Sequence, residues 1–91
     1  MIMDKEIEAK VEKKFKEKSD LIRSRLILLN FKKGIKQKDI ARILGKTPPE
    51  ISKWMSGHHN LTLRSIIMLE VALEADIIEI EKYDYGRSLK K

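Results

Sequence analysis

Cysteine and histidine, which often act as nucleophile, base or metal ligand, are scarce in this 91-residue chain. It has no cysteine, and its two histidines, His58 and His59, are adjacent. Adjacent side chains point apart, and no third ligand follows at a spacing typical of zinc sites. The chain also has no glycine-rich phosphate-binding loop. The sequence therefore predicts neither an enzyme nor a metal or cofactor site.

The basic residues are concentrated in the middle of the chain. The net charge is +6, but residues 21–64 contain ten Lys or Arg against two acidic residues, a net of +8. Residues 1–20 are neutral, and residues 65–91 carry a net charge of −2. A basic block of this kind suits a polyanion, and nucleic acid is the usual one. Charge alone leaves a lysine-rich solvated surface as the alternative.

Two short helices are predicted inside this block. The segment QKDIARILG predicts one that ends at Gly45, and EISKWM predicts another that stops near Ser56 and Gly57. Two consecutive prolines, Pro48 and Pro49, head the second helix. The amides of a first turn have no intrahelical partner, so proline is tolerated there. Two such helices joined by a short turn predict a helix-turn-helix, whose second helix enters the major groove of DNA.

The packing of this helix pair is predicted from its apolar residues. Trp54 is expected to face the core rather than to stack on a base, because its spacing from Ile51 places it inward. In the first helix of the pair, the residues expected to face inward are Ile40, Ala41, Ile43 and Leu44. Thr47 is predicted to be the N-cap of the second helix.

The segment QKDIARILGKTPPEISKWMSG resembles the DNA-binding motif of the XRE family, the Cro and phage-repressor type of helix-turn-helix. The matching positions are Gln37, Ala41, Gly45, Ile51 and Trp54, and the likeness covers roughly residues 35–73. The SGHHNLTL segment and the terminal strand predicted below most resemble those of HigA-type antitoxins, small repressors encoded beside a toxin. The resemblance implies an all-α, λ-repressor-like helical bundle, here with an extra N-terminal helix.

Two departures from the family pattern affect helix ends. Lys36 stands where the family often has a capping Ser, Thr or Asn, and Glu74 stands where it often has Gly.

The predicted DNA contacts divide into base-reading and phosphate-binding residues. Lys53, on the outward face of the second helix, is the best candidate to reach guanine O6 or N7. Glu50 would accept from a cytosine amino group or repel phosphate, and the rings of Pro48 and Pro49 would contact a thymine methyl. The resemblance implies that Gln37 binds a phosphate, and capping of its own helix is the alternative. The other predicted phosphate contacts are Lys36, Lys38, Lys46, Thr47, Ser52, His58, His59 and Asn60.

The N-terminal segment predicts an amphipathic helix. Residues 4–18 place Ile7, Val11 and Phe15 four apart, which makes one narrow apolar stripe for packing within the subunit or against a partner. Either Ser19 and Asp20 cap a new helix or the first helix runs through them. The apolar residues that follow predict helix as far as Gly34.

The C-terminal segment predicts one more helix and a strand. Thr62 is the expected N-cap of a helix over LRSIIMLEVALEA. The alternation in DIIEIEKYDYG predicts a short strand over residues 77–83, and a coil packed against the helices is the alternative. A lone strand needs a mate, so the same segment of a second subunit is expected to pair with it in a symmetric homodimer.

These elements divide the chain into an N-terminal amphipathic helix (1–19), a helix-turn-helix domain (20–75) and a C-terminal strand and tail (76–91). The predicted function is a dimeric, sequence-specific DNA-binding transcription regulator, with repression as its mode. The alternative is a protein-binding module that binds and neutralises a toxin. A cytoplasmic protein without a membrane partner is expected, because no apolar run approaches the ~20 residues that span a bilayer.

Overall fold

The computed structural model describes residues 4–56 and 60–81. They form four α-helices in the order α1 (Lys5–Lys33), α2 (Gln37–Leu44), α3 (Pro48–Ser56) and α4 (Leu63–Leu73). The helices α2 and α3 pack against each other, α1 packs against α3 and α4, and α4 also packs against α2. The predicted all-helical class is confirmed.

Helix α1 is continuous over 29 residues. The chain therefore runs through Ser19 and Asp20 without starting a new helix. Gly34 ends α1 in the left-handed conformation, with φ 64°, and its N–H donates to the carbonyl of Asn30. A glycine that follows two lysines is a common helix end, and the predicted stop is confirmed.

The two halves of α1 have different surroundings. Leu26 and Leu29 are its only buried residues, whereas every residue from 4 to 18 is exposed. The C-terminal half is thus part of the core, and the N-terminal half extends beyond it. Despite the length of α1, no helix in the described residues is apolar enough to cross a membrane.

The core takes one face from each helix. Its buried members are Leu26, Leu29, Ile40, Ala41, Ile51, Met55, Leu69, Ala72 and Leu73. Each fully buried Leu or Ile contributes roughly 1.5–3 kcal/mol relative to exposure. The expectation that Ile43 faces inward is wrong, because its side chain is 52% exposed. The buried face of α2 is centred between Ile40 and Ala41, and at helical spacing Ile43 lies roughly 100° away from that centre.

Helix α4 begins and ends with recognisable caps. The Thr62 hydroxyl accepts from the backbone N–H of Ser65 at 3.0 Å, which confirms the predicted N-cap. At the other end Glu74 adopts the left-handed conformation, with φ 54°. The Ala75 N–H donates to the carbonyl of Glu70 at 3.2 Å, as in a Schellman motif. Glu74 therefore occupies a conformation that favours glycine.

The predicted strand is wrong over residues 77–81, which form coil; residues 82 and 83 lie outside the described part of the chain. The backbone N–H groups of Ile77 and Ile78 both donate to Oε2 of Glu70, at 2.7 and 2.9 Å. Arg25 Nε also donates to the carbonyl oxygen of Asp76 at 3.0 Å. The Glu70 side chain of α4 thus satisfies two backbone donors that a second strand would otherwise have to pair, and Arg25 of α1 holds the residue just before them. The alternative, a coil packed against the helices, is the observed arrangement.

Candidate nucleic-acid interface

The turn between α2 and α3 is built on one glycine. Gly45 has φ 66° and ψ 33°, in the left-handed region. A Cβ at this position would meet nothing within 4 Å, so glycine is favoured here by the backbone conformation and not by lack of space. The Lys46 N–H donates to the carbonyl of Ala41 at 2.8 Å and closes the end of α2. The predicted turn is confirmed.

A reciprocal capping box holds the start of α3. The Thr47 hydroxyl accepts from the Glu50 N–H at 3.3 Å, and Oε1 of Glu50 accepts from the Thr47 N–H at 3.0 Å. The Thr47 carbonyl accepts the first helical bond from the Ile51 N–H at 3.2 Å. Thr47 is thus the N-cap, as predicted. Pro48 and Pro49 fill the next two positions, where no backbone donor is required.

The capping box also sets the charge state of Glu50. Its pKa lies below the ordinary value of 4.5, chiefly because the Thr47 N–H, and then the Thr47 hydroxyl, donate to the carboxylate. The positive charges of Lys46 and Lys53 lower the pKa further. Glu50 was predicted to accept from a base or to repel phosphate, and its structural role was not predicted. The T-x-x-E spacing in TPPE was the available signal.

Helix α3 buries one face and presents the other. Ile51 is fully buried and Met55 is 8% exposed. Five residues of α3 are exposed: Pro48, Pro49, Glu50, Ser52 and Lys53. No hydrogen bond or ion pair among the described residues engages the ammonium group of Lys53. The predicted base-reading residues are therefore all accessible, and the Lys53 ammonium is available to a ligand.

Trp54 belongs to the packed side of the helix. It is half-buried against the core, in agreement with the prediction that it does not stack on a base. The ammonium nitrogen of Lys46 lies 5.9 Å from the centroid of the Trp54 ring. Such a cation–π contact contributes about 0.5–1 kcal/mol at an exposed site. Lys46 is thereby held beside the start of α3 while its charge remains close to the surface.

A shallow pocket of about 330 Å³ separates α3 from the beginning of α4. Its lining residues are Glu50, Lys53, Trp54, Asn60, Leu61, Thr62 and Ser65. The pocket brings Asn60 and Lys53, predicted from separate segments, to one concavity. The hydroxyl groups of Thr62 and Ser65 lie 2.9 Å apart in the same wall. These two hydroxyls are not among the predicted site residues, although Thr62 was predicted to be a cap.

The start of α2 supplies a second polar surface. Lys36, Gln37 and Lys38 are all exposed. Lys36 is the N-cap residue, and its side chain makes no capping hydrogen bond. No hydrogen bond among the described residues holds the Gln37 side chain, so the alternative that it caps its own helix is not what the structure shows. In the first turn of α2, the Asp39 N–H already donates to the Lys36 carbonyl at 2.9 Å. The Gln37 and Lys38 amides have no partner among the described residues and remain open to an anion.

Other titratable groups offer little chemistry. Arg42 pairs with Asp39 at 3.3 Å on the surface of α2. Within residues 4–56 and 60–81, no three His, Asp or Glu side chains are grouped so that they could hold a metal ion. His58 and His59, predicted as phosphate contacts, lie outside the described residues.

Comparison with known families agrees with this geometry. The helix-turn-helix family model HTH_3 matches residues 26–80, which is more than half of the chain. The match begins in the packed half of α1, includes α2, α3 and α4, and reaches the coil after α4. Neither a curated protein nor a solved structure was found to match. The chain therefore belongs to the XRE-type helix-turn-helix family of DNA-binding transcription regulators.

Proposed function

We propose that this protein is a sequence-specific repressor that binds its operator as a homodimer. The observation that carries the proposal is the construction of α3. The capping box of Thr47 and Glu50 fixes the start of the helix, and buried Ile51 and Met55 fix its inner face. Its outer face presents the unpaired ammonium group of Lys53. A rigidly held helix with an accessible basic side chain suits major-groove readout.

Within this proposal the residues of α3 have different tasks. Lys53 donates to guanine O6 or N7, and the rings of Pro48 and Pro49 make apolar contact with a thymine methyl. Glu50 holds the helix start through Oε1, and its second oxygen is the one available to a cytosine amino group. Readout by hydrogen bonds therefore depends mainly on Lys53.

Phosphate contacts would set the orientation of α3 in the groove. Gln37 and its neighbours Lys36 and Lys38 lie at the start of α2, where open amides and the helix dipole favour an anion. Asn60 would contact the DNA backbone beside Lys53, because both residues line the same pocket. The remaining proposed phosphate contacts are Lys46, Thr47, Ser52, His58 and His59.

The dimer would give the specificity that one small module lacks. Each wrong base pair costs only about 1–3 kcal/mol, so two half-sites read together discriminate far better than one. In a two-fold complex the half-sites lie about 34 Å apart. Occupancy of a promoter by this complex would block transcription.

A second candidate function, toxin neutralisation, has one observation in its favour. The coil after α4 exposes Asp76, Glu79 and Glu81 together with Ile80, which is 77% exposed. An acidic surface with an apolar centre suits a basic protein such as a small ribonuclease toxin. Co-purification with the product of the adjacent reading frame tests this candidate, and Glu79→Lys with Glu81→Lys should abolish the complex. Retention of the complex by the double variant would reject this surface.

Fluorescence anisotropy with labelled duplexes tests the repressor proposal. The gene's own upstream region is compared with unrelated DNA at two salt concentrations, for the wild type, Lys53→Ala and the control Lys32→Ala. Lys32 is an exposed lysine of α1 that is not among the proposed DNA contacts. We expect Lys53→Ala to weaken binding to the upstream duplex by roughly tenfold or more, as for one lost bidentate base contact. The affinity of Lys53→Ala for unrelated DNA should change little, and so should the affinities of Lys32→Ala for both duplexes.

Two outcomes would contradict the proposal. Equal binding of both duplexes with a steep salt dependence would mean that the basic block contacts phosphates without reading bases. An absence of binding at low salt would reject DNA recognition by this chain.

A further inference from the structure

The N-terminal half of α1 has an apolar stripe that no other part of the described chain covers. Ile7, Val11 and Phe15 are four residues apart and are 46%, 46% and 45% exposed. All the residues around them, from 4 to 18, are exposed as well. A helical segment that extends from the core with one narrow stripe gains little stability by itself. This stripe is therefore a candidate contact surface.

The stripe continues into a groove of about 380 Å³ between α1 and the beginning of α4. The groove is lined by Val11, Lys14, Phe15, Lys18, Ser19, Ile22, Leu26, Leu61 and Ile66. Its floor reaches the core at Leu26 and Ile66, which are buried. Lys14, Lys18 and Ser19 are the polar residues of the lining. An apolar side chain flanked by acidic residues would thus be complementary to the groove.

Charge is distributed unevenly along the same half of α1. Residues 4–12 carry a net charge of −2, and residues 13–20 carry a net charge of +2. The ion pair of Lys10 with Glu6 lies within the first segment, and that of Lys16 with Asp20 lies within the second. Each ion pair joins two residues of the same segment, so neither pair neutralises the net charge of a segment. The charge difference between the two segments therefore remains available to a partner.

We propose that the groove and the stripe bind the same half of α1 from a second copy of this chain, in antiparallel orientation. Each copy then places its acidic residues 4–12 against the basic residues 13–20 of the other, twice in one two-fold interface. Helix axes 8–10 Å apart bring these charges within interaction range. A parallel pair would set acidic against acidic and basic against basic. Ile7 and Val11 of each copy would cover the apolar groove of the other.

The inference rests on the proposed repressor, because this interface would form its dimer. The experiment that tests the interface uses no DNA. The full-length chain is analysed by light scattering and sedimentation equilibrium over a range of concentrations. We expect twice the mass of one chain for the wild type. Phe15→Glu should weaken the dimer roughly 100-fold, because two aromatic side chains leave the interface. Leu21→Glu is the matched control, since Leu21 is on the same helix, 69% exposed and outside the groove.

A charge exchange tests the orientation. Glu8→Lys with Glu12→Lys makes both segments positive, and Lys14→Glu with Lys18→Glu makes both negative. Each double variant should weaken the antiparallel dimer, and the quadruple variant should restore it, because opposite charges face each other again. In a parallel pair each segment faces the same segment of the other chain. Like charges then meet in every variant, so the quadruple variant would rescue nothing.

Three results would overturn the inference. They are a wild type that is monomeric at every concentration, a dimer that Phe15→Glu leaves intact, and a quadruple variant without rescue. If the wild type is monomeric, the groove is left to a different protein. A monomeric chain that still prefers the upstream duplex would reject this interface and leave DNA recognition by α3 standing.

Discussion

Replacing Glu70 with alanine tests the contact that holds the coil after α4. Oε2 of Glu70 accepts from the N–H groups of Ile77 and Ile78, at 2.7 and 2.9 Å. Hydrogen bonds to a charged group contribute about 1.5–3 kcal/mol each when well shielded. Both bonds are only part-buried, so water replaces them in part, and we expect a loss of about 2 kcal/mol in the free energy of unfolding. Alanine is an excellent helix former, so a loss of helix propensity in α4 would not explain destabilisation.

The effect should be large enough to measure by circular dichroism. For a domain of this size, a loss of about 2 kcal/mol lowers Tm by about 10 °C. Glu70→Gln keeps a neutral acceptor and should lose about half as much. Glu79→Ala, an exposed glutamate on the coil itself, is the control. In hydrogen exchange, the Ile77 and Ile78 amides should lose protection only in the Glu70 variants. If Glu70→Ala had the same Tm as Glu79→Ala, this account of the coil would be refuted.

Two further predictions concern helix ends. Glu74→Gly should raise the free energy of unfolding by about 1 kcal/mol, because Glu74 pays the steric cost of a left-handed backbone that glycine avoids. Urea denaturation measures this, and Glu74→Gln, which keeps Cβ, should show no such gain; equal stabilities of both variants would contradict the strain. The lowered pKa of Glu50 predicts a pH dependence: its carboxylate stabilises the fold fully above the ordinary pKa of 4.5, and this contribution is lost as the pH falls through the lowered pKa. Glu50→Gln keeps an acceptor but does not titrate, so its urea midpoint should fall less than that of the wild type on acidification below pH 4.5; parallel curves would exclude the effect.

The helix ends were predictable because their causes are local. Gly34 and Gly45 supply left-handed residues, and Thr47 and Thr62 supply capping hydroxyls. Each of these residues acts within about one helical turn, so a short stretch of sequence contains both partners. The same is true of the T-x-x-E box around Pro48 and Pro49. Its Thr47 cap was predicted from the sequence, but the reciprocal hydrogen bond to Glu50 was not.

Burial was less predictable from spacing. Ile43 has an apolar side chain at a plausible interval from Ile40 but is 52% exposed. On an eight-residue helix, a small error in the centre of the buried face moves one residue from the core to the surface. The buried face is set by where α3 and α4 pack on α2, and that packing is not written in the spacing of α2 alone.

The helix-turn-helix is predictable from local sequence, because its two helices, its turn and its N-cap all follow from residues close together along the chain. The basic block of residues 21–64 and the apolar stripe of Ile7, Val11 and Phe15 are likewise read directly from the sequence. The conformation of residues 77–81 depends instead on tertiary contacts. Their alternation is typical of a strand, but Glu70 of α4 accepts from the N–H groups of Ile77 and Ile78, and Arg25 of α1 donates to the carbonyl of Asp76 just before them. The Glu70 carboxylate, 7 and 8 residues away in sequence, outcompetes the local pattern, because a backbone donor is satisfied by whichever acceptor the fold places within reach.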